Sequence, residues 1–405
     1  MRWLIFIIFY ILIDIYAFQV FRTFSKSIWL NGIYIALSVG VLAVLIYTLT
    51  HLDRSNGITI DEMYVLGWFL VFFVPKLILI VFMFGEDIIR VLAGVFSAVS
   101  GKESFHLPSR RKFISAIALG IAAVPFASLI YGMYKGKYRY RVLSYELEFD
   151  DLPEAFDGYK ITQISDVHSG SFDAAEKIAY GIDLINEQQS DVILFTGDLV
   201  NNFASEMNEW TPLFSKLKAK DGVYSVLGNH DYGDYADWET QTAKAQNLQD
   251  LKELQAKMGW KLLLNEHRWL EKNGQRIALV GVENWGAGFK QAGDIDKASA
   301  GLKASDFKVL MSHDPSYWSE RLKEDPKNFQ LTLSGHTHGM QFGIEIPGFI
   351  RWSPVQYRYE NWAGIYKEAG RILNVNRGFG YLGYPGRVGI WPEVTVITLK
   401  SKALG

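Results

Sequence analysis

Asp, Asn and five of the chain's eight histidines are gathered in five short turns: Asp166-Val167-His168, Gly197-Asp198, Gly228-Asn229-His230-Asp231, Ser312-His313-Asp314 and Gly335-His336-Thr337-His338. Gly-Asn-His-Asp taken alone would be an ordinary turn, because Asn and Asp tolerate unusual backbone angles. Taken together, the five turns are an inventory of metal ligands. The chain has no cysteine, and imidazole with carboxylate but no thiolate suits Mn²⁺, Fe or Zn²⁺ better than Ca²⁺ or Mg²⁺. On an extended backbone the i, i+2 spacing of Asp166 and His168 turns both side chains to one side, so the pair can chelate one ion, and the same reasoning applies to His336 and His338. With Asp198 as a bridge, the set is large enough for two adjacent ions. Two ions ~3.5–4 Å apart can clamp a phosphate, activate a water and stabilise a leaving oxygen. The chemistry this suggests is phosphoester hydrolysis.

Such ligands must be delivered by a rigid scaffold, and the pattern from about residue 140 onward supplies one. Short β-rich runs alternate with helical periodicity and Gly/Asn/Asp turns. Strands are expected at Leu143 to Phe149, Ile161 to Ser165, Val192 to Thr196, Val223 to Leu227, Lys308 to Ser312, Gln330 to Leu333, Arg371 to Val375 and Val394 to Leu399. Each of the five turns follows one of these runs, which is where open α/β sheets place their chemistry. Ile178, Ile182 and Ile185 predict one helix, and Leu248, Leu251, Leu254 and Met258 another. Lys272-Asn273-Gly274-Gln275 has the composition of a type I′ hairpin turn. Parallel units followed by hairpin strands predict an α/β fold of the α+β type: a two-sheet β-sandwich flanked by helices.

The first third differs from the rest. Apolar runs at Trp3 to Phe21, Ile28 to Leu49, Met63 to Phe84 and Phe113 to Tyr131 approach the ~20 residues that cross a bilayer as helix. Asp14 and Lys76 lie inside these runs, where an ionisable group requires a partner. Between the third and fourth spans Ile88, Ile89, Leu92, Val95, Phe96 and Val99 predict a helix, either lying on the membrane surface or a short core helix. Residues 1–141 hold 14 Lys+Arg against 7 Asp+Glu, while the remainder holds 27 against 36. The acidic part lacks the clustered basic charge that a nucleic-acid partner would need. Ser109-Arg110-Arg111-Lys112-Phe113-Ile114 is similar to a twin-arginine export signal, or else is a basic flank holding that end of the span in the cytoplasm. Both readings place the downstream domain outside, against a second basic cluster at Lys135, Lys137, Arg139 and Arg141. The chain therefore divides into a membrane domain, 1–135, and a catalytic domain, 136–405.

The series D-x-H, G-D, G-N-H-D, H and G-H-T-H resembles the calcineurin-like metallophosphoesterases over about residues 139 to 400. Asn376-Arg377-Gly378-Phe379-Gly380, Pro385-Gly386-Arg387-Val388-Gly389 and Pro392-Glu393 resemble the bacterial membrane-associated or twin-arginine-exported branch. The resemblance implies that Asp166, His168 and His338 hold one metal and that Asn229, His313 and His336 hold a second, with Asp198 bridging them. It further implies that His230 protonates the leaving oxygen while Asp231 orients its ring. The setting it implies is a multi-pass protein of a bacterial inner membrane. One departure is Met340, where this branch often has a second Gly after Gly339.

Arg351, Arg358 and Arg377 are candidates for gripping the phosphate of the substrate, with Arg387 a further one and Trp352, Tyr357, Tyr359, Trp362 and Tyr366 as a pocket wall. Tyr232, Tyr235 and Trp238 could form a lip toward the bilayer. The expected substrate is a phosphomonoester or phosphodiester that is lipid-linked or belongs to the cell envelope. An alternative resembles the cytoplasm-facing enzymes that cleave UDP-diacylglucosamine in lipid A synthesis. Two non-hydrolase readings are a metal-binding scaffold without turnover and a transporter or sensor built on the spans.

Overall fold

The computed structural model describes residues 2–101, 108–346 and 348–402. The chain divides into two compact units, one of Met1–Leu52 with Asp61–Tyr134 and the other of Asp53–Ile60 with Lys135–Gly405.

The first unit contains α1 (Arg2–Phe24), α2 (Ile28–Thr50), α3 (Ile60–Ser100) and α4 (Pro108–Tyr134). All four are long and apolar enough to cross a membrane. Most of their large apolar side chains are exposed, including Leu4, Ile8, Leu12, Ile33, Leu37 and Val44, which suits helices whose solvent is lipid. The separate helix expected after the third span does not form. Instead α3 runs unbroken for 41 residues, about 60 Å at 1.5 Å per residue. Only Gly85, Glu86 and Asp87 stand between the span and Ile88, and a single Gly lowers helix propensity by just ~1 kcal/mol. Arg111 of α4 pairs with Asp87 at 3.1 Å, so the segment of α3 after Asp87 continues beyond that ion pair.

Asp14 and Lys76 are partners. The Lys76 ammonium lies 2.6 Å from Asp14 Oδ1 and also donates to Ser38 Oγ (2.7 Å) and Tyr10 OH (3.1 Å). Tyr34 donates to the same Asp14 oxygen at 2.9 Å. This network joins α1, α2 and α3. Lys76→Met should therefore lower the stability of the detergent-solubilised protein by about 1–3 kcal/mol, because it takes the cation from a largely buried carboxylate that keeps only the Tyr34 and Ser38 hydroxyls. Adding Asp14→Asn should restore most of that loss, and a double variant no better than the single one would refute the pairing.

The second unit is built on two mixed six-stranded sheets. The elements are β1 (Arg141–Phe149), β2 (Lys160–Ile164), α5 (Ala175–Glu187), β3 (Val192–Phe195), α6 (Thr211–Phe214), β4 (Val223–Ser225), α7 (Gln241–Lys257), β5 (Trp260–Leu262), β6 (Glu266–Lys272), β7 (Gln275–Gly281), β8 (Lys308–Met311), β9 (Leu331–Ser334), β10 (Ile344–Ile346), β11 (Ile350–Trp352), β12 (Gly364–Glu368), β13 (Arg371–Val375) and β14 (Glu393–Ser401), with short helical turns between them. The first sheet has the order β1-β14-β2-β3-β4-β5, the second β12-β13-β9-β8-β7-β6, and β10 and β11 form a separate hairpin. In each sheet a parallel centre, β2 to β5 or β13-β9-β8-β7, meets antiparallel neighbours.

The central strands are apolar on both faces because both are covered. In β3, Val192 and Leu194 face the core between the sheets, with Leu279, Val309, Met311, Leu331 and Leu333 opposite. Ile193 and Phe195 face outward, against Ile178, Ile182 and Ile185 of α5 and Leu251 of α7. On the second sheet Val280, Leu310 and Leu373 pack outward under Tyr317 and Trp318. The result is the expected sandwich flanked by helices, each fully buried Leu or Ile contributing ~1.5–3 kcal/mol. Asn273 and Gly274 both have positive φ, 50° and 79°, as a type I′ turn between β6 and β7 requires.

Candidate metal centre

The ends of parallel strands from both sheets meet at one edge of the sandwich. The first sheet supplies Asp166 and His168 after β2, Asp198 after β3 and Asn229 after β4, and the second supplies His313 after β8 and His336 and His338 after β9. Two groups result: Asp166, His168 and His338, and Asp198, His313 and His336, the candidate ligand atoms of each lying within 4.8 Å of one another. Asp198 stands between them, with Oδ2 3.1 Å from His313 Nε2 and 3.6 Å from His168 Nε2. Asn229 Oδ1 is 2.8 Å from His336 Nδ1.

Two pieces of the spacing argument fail. Asp166 and His168 are not extended, since both have left-handed φ (52° and 49°). They reach a common point because the chain coils there. His336 and His338, similarly left-handed at 71° and 51°, do not chelate together but fall into different groups. Asp198 adds a fifth left-handed residue at φ 60°, and such conformations cost ~1–3 kcal/mol each and concentrate at functional sites. The coil continues through Gly339, Met340 and Gln341, so four consecutive residues from His338 have φ between 51° and 58°. Met340 therefore adopts a backbone that glycine holds without strain. Close approach explains the glycines before the ligands: a Cβ on Gly228 would lie 2.2 Å from Asp198 Oδ1, and one on Gly335 2.0 Å from Ser165 Oγ.

The imidazoles are oriented from behind. His168 Nδ1 lies 3.1 Å from Asn201 Oδ1, and His313 Nδ1 donates to the Thr196 carbonyl at 2.7 Å. His336 Nε2 faces Tyr359 OH at 2.8 Å and Asp314 Oδ2 at 3.4 Å. The opposite nitrogens converge: His168 Nε2 is 3.0 Å from His338 Nε2, and His336 Nδ1 is 3.3 Å from His313 Nε2. One ring nitrogen held by an acceptor while the other points at its neighbours is the arrangement of metal-ligating histidines. Burial alone would raise the Asp166 and Asp198 carboxyls, yet the facing His338 and His313 rings hold both well below the usual range. Burial pushes the His168 and His336 imidazoles down toward neutrality. It opposes the charge on His313 too, but adjacent Asp198 lifts that ring to about 10. Buried, ionised carboxylates and converging lone pairs fit a cation.

His230 stands beside this cluster. Its ring centroid is 4.9 Å from that of His168 and 4.4 Å from that of Tyr235. Its Nδ1 donates to the Asn201 carbonyl at 2.8 Å, which leaves Nε2 to exchange a proton. The expected role of Asp231 is overturned, because its carboxylate points away from the His230 ring. It accepts from the backbone N–H groups of Gly228, Asp198 and Leu199 at 2.8, 2.9 and 2.7 Å. Asp231 thus fastens the turn after β4 to the turn after β3, and its pKa is raised to about 7 by burial and then by the charge on Asp198. Asp231→Ala orphans four buried donors, since the Val200 N–H also reaches it at 3.3 Å, and should lower unfolding stability by on the order of 3 kcal/mol in denaturant titration. Asn201, which holds both His168 and His230, is not among the expected site residues, and its position three residues beyond Asp198 is the only sequence signal for it.

The expected arginines separate. Arg358 is exposed, its guanidinium 5.3 Å from the Phe289 ring and 5.8 Å from that of Tyr359, and both rings touch His336. Arg351 is tied to the Ala363 carbonyl at 2.6 Å and lies over Trp362 and Tyr366. Arg377 cannot grip a substrate phosphate: it is buried, and its two terminal nitrogens are engaged by Glu393 and Glu345, each at 2.5 Å. Arg387 is also buried, donating to the Gly380 carbonyl and reaching His338 Nδ1 at 3.2 Å. Of the expected lip, Tyr232 is buried against Glu283 and Trp238 donates to the Gly233 carbonyl, while Tyr235 remains partly open beside His230.

A family model described as "Calcineurin-like phosphoesterase" matches residues 159–340, and another described as "Probable Calcineurin-like phosphoesterase, transmembrane domain" matches residues 1–137. The chain is 30% identical over 301 residues to the uncharacterized metallophosphoesterase YkuE of Bacillus subtilis, covering 72% of this chain and 98% of that protein. The chain belongs to the calcineurin-like metallophosphoesterase family. It is also 28% identical to a "transmembrane protein with metallophosphoesterase domain" of Danio rerio, over 80% of this chain and 71% of the relative. A metallophosphoesterase of Aquifex aeolicus is 26% identical over 68% of this chain and 99% of its own length. As a member of this family, the chain is a metal-dependent phosphoester hydrolase with a membrane-anchoring region of four apolar helices.

Proposed function

We propose that the chain is a dinuclear phosphoesterase whose first ion is held by Asp166, His168 and His338 and whose second is held by Asn229, His313 and His336, with Asp198 shared. The observation that carries this reading is the convergence of imidazole nitrogens and ionised carboxylates from two sheets, each of His168, His313 and His336 braced on its far nitrogen. When bound, two divalent cations would polarise the phosphoryl group and lower the pKa of the attacking water. The residues do the remainder. His230, fixed through Nδ1 by the Asn201 carbonyl, presents Nε2 to give the departing oxygen its proton as the P–O bond breaks. Arg358 at the rim offers its planar fork to a phosphate oxygen.

The substrate is a lipid-linked or cell-envelope phosphoester on the extracytoplasmic side. Four spans put both ends of the chain on one face of the membrane, and Arg22, Lys26 and the Arg110-Arg111-Lys112 run flank the other face, as cytoplasmic flanks do. The opposing cluster is largely absorbed by the fold: Lys137 is buried and paired with Asp173 at 2.5 Å, and Arg139 and Arg141 lie over Trp391. The test is elemental analysis of the purified full chain together with turnover of an aryl phosphodiester before and after chelation. About two transition-metal ions per chain and activity restored by Mn²⁺, Fe²⁺ or Zn²⁺ are expected. Full activity after complete metal removal would refute the reading.

A further inference from the structure

We propose that the β10–β11 hairpin is a membrane-inserting element that seats the catalytic unit on the bilayer surface, so that the substrates reaching the metal cluster are phosphoesters of bilayer lipids. The second half of this inference rests on the function proposed above; the first does not.

The pairing Ile344↔Trp352 and Ile346↔Ile350 puts four apolar side chains on one face of the hairpin, and Glu345↔Arg351 puts two charged ones on the other. The charged face is fastened to the domain. Glu345 pairs with Arg377 at 2.5 Å, and Arg351 donates to the Ala363 carbonyl and covers Trp362. The apolar face is therefore turned outward, with Ile344 50%, Ile346 51% and Ile350 40% exposed and Phe349 in the connecting turn 84% exposed. Across the described residues of 135–402, every exposed Ile, Met or Phe side chain lies between Met340 and Ile350. A folded domain that buries its other large aliphatic side chains and concentrates the rest on one hairpin marks a contact surface.

Three observations favour lipid as the occupant. The chain carries four helices able to span a membrane. Only residues 135–140 separate α4 from β1, so the chain cannot carry the start of β1 more than ~20 Å from the end of α4. In the sequence the apolar tip is followed at once by Trp352, the exposed Tyr357 and the exposed Arg358, the aromatic and basic composition of an interfacial element. The hairpin begins six residues after His338 and is joined to it by the left-handed coil, so its insertion sets the metal cluster at headgroup height.

The natural absence of cysteine makes the test direct. The full chain is placed in phosphatidylcholine–phosphatidylglycerol nanodiscs with a bimane label at Phe349→Cys or, as control, at Asn273→Cys in the β6–β7 turn. Nitroxide-labelled lipids should quench the first label and not the second. In parallel, the Ile346→Asp/Phe349→Asp double variant should lose ~10-fold or more in kcat/KM toward an acyl-anchored nitrophenyl phosphodiester in the discs. Its rate on the soluble aryl phosphodiester should not change. An unquenched label on the Phe349→Cys variant, or disulfide-linked dimers through its introduced thiol, would overturn insertion and assign the face to another occupant or a second copy. Equal losses on both substrates would overturn the selective role of the hairpin. Quenching of that label in a protein inactive on both substrates would leave insertion standing and remove the lipid-hydrolase reading alone.

Discussion

Asp198→Asn should strip the purified protein of bound metal and lower kcat by at least ~10³-fold, about 4 kcal/mol of transition-state stabilisation. The substitution keeps the size of the side chain and the oxygen that accepts the His230 N–H at 2.8 Å, so the turn around it should survive. It removes the one charge that lies within 3.1 Å of His313 and 3.6 Å of His168, and hence the charge shared by both groups. His313 then loses the neighbour that raises its pKa, and the site loses the carboxylate proposed to be shared by two cations. Elemental analysis and steady-state kinetics check this. A variant that still holds two ions per chain and turns over normally would show that Asp198 does not bridge.

His230→Ala should give a different signature: a fall in kcat of ~10²–10⁴-fold, the usual scale of a lost general acid, with metal content and melting temperature unchanged. The reason is positional. The ring contacts His168 edge to face without entering either ligand group, and its anchor is a backbone carbonyl that the mutation leaves intact. The loss should be smaller for a substrate whose leaving group is already acidic, such as a nitrophenolate, than for an alkyl phosphodiester. Equal losses on both would count against proton donation. Comparison with Asp231→Ala separates chemistry from scaffolding within one four-residue turn.

The two sheets are legible in the sequence because their central strands are continuous apolar runs ended by glycine turns, and the residues that gather at the candidate metal centre are legible because five turns rich in His, Asp and Asn recur at strand ends. The backbone at those turns is hidden. Left-handed φ at Asp166, His168, His336 and His338 is set by the crossing of neighbouring loops, so an argument from extended spacing misassigns His336 and His338 to one ion. Asp231 misleads for a similar reason, since adjacency in sequence says nothing about which side of the turn a carboxylate occupies. Arg377 looks available because its partners Glu345 and Glu393 are 32 and 16 residues away. The β10–β11 hairpin escapes notice because three-residue strands carry too little periodicity to be distinguished from a packed loop.

Asp166, His168, Asp198 and Asn229 hang from one sheet and His313, His336 and His338 from the other, so each proposed ion is a rivet through both halves of the sandwich. Metal supply then governs how long the folded protein lasts as well as how fast it works. Free metal at 100 times its dissociation constant adds ~2.7 kcal/mol to stability per independent site. Loss of the proposed ions would then loosen the seam between the two sheets as well as slow turnover, so chelation should lower the melting temperature of the full chain together with its rate.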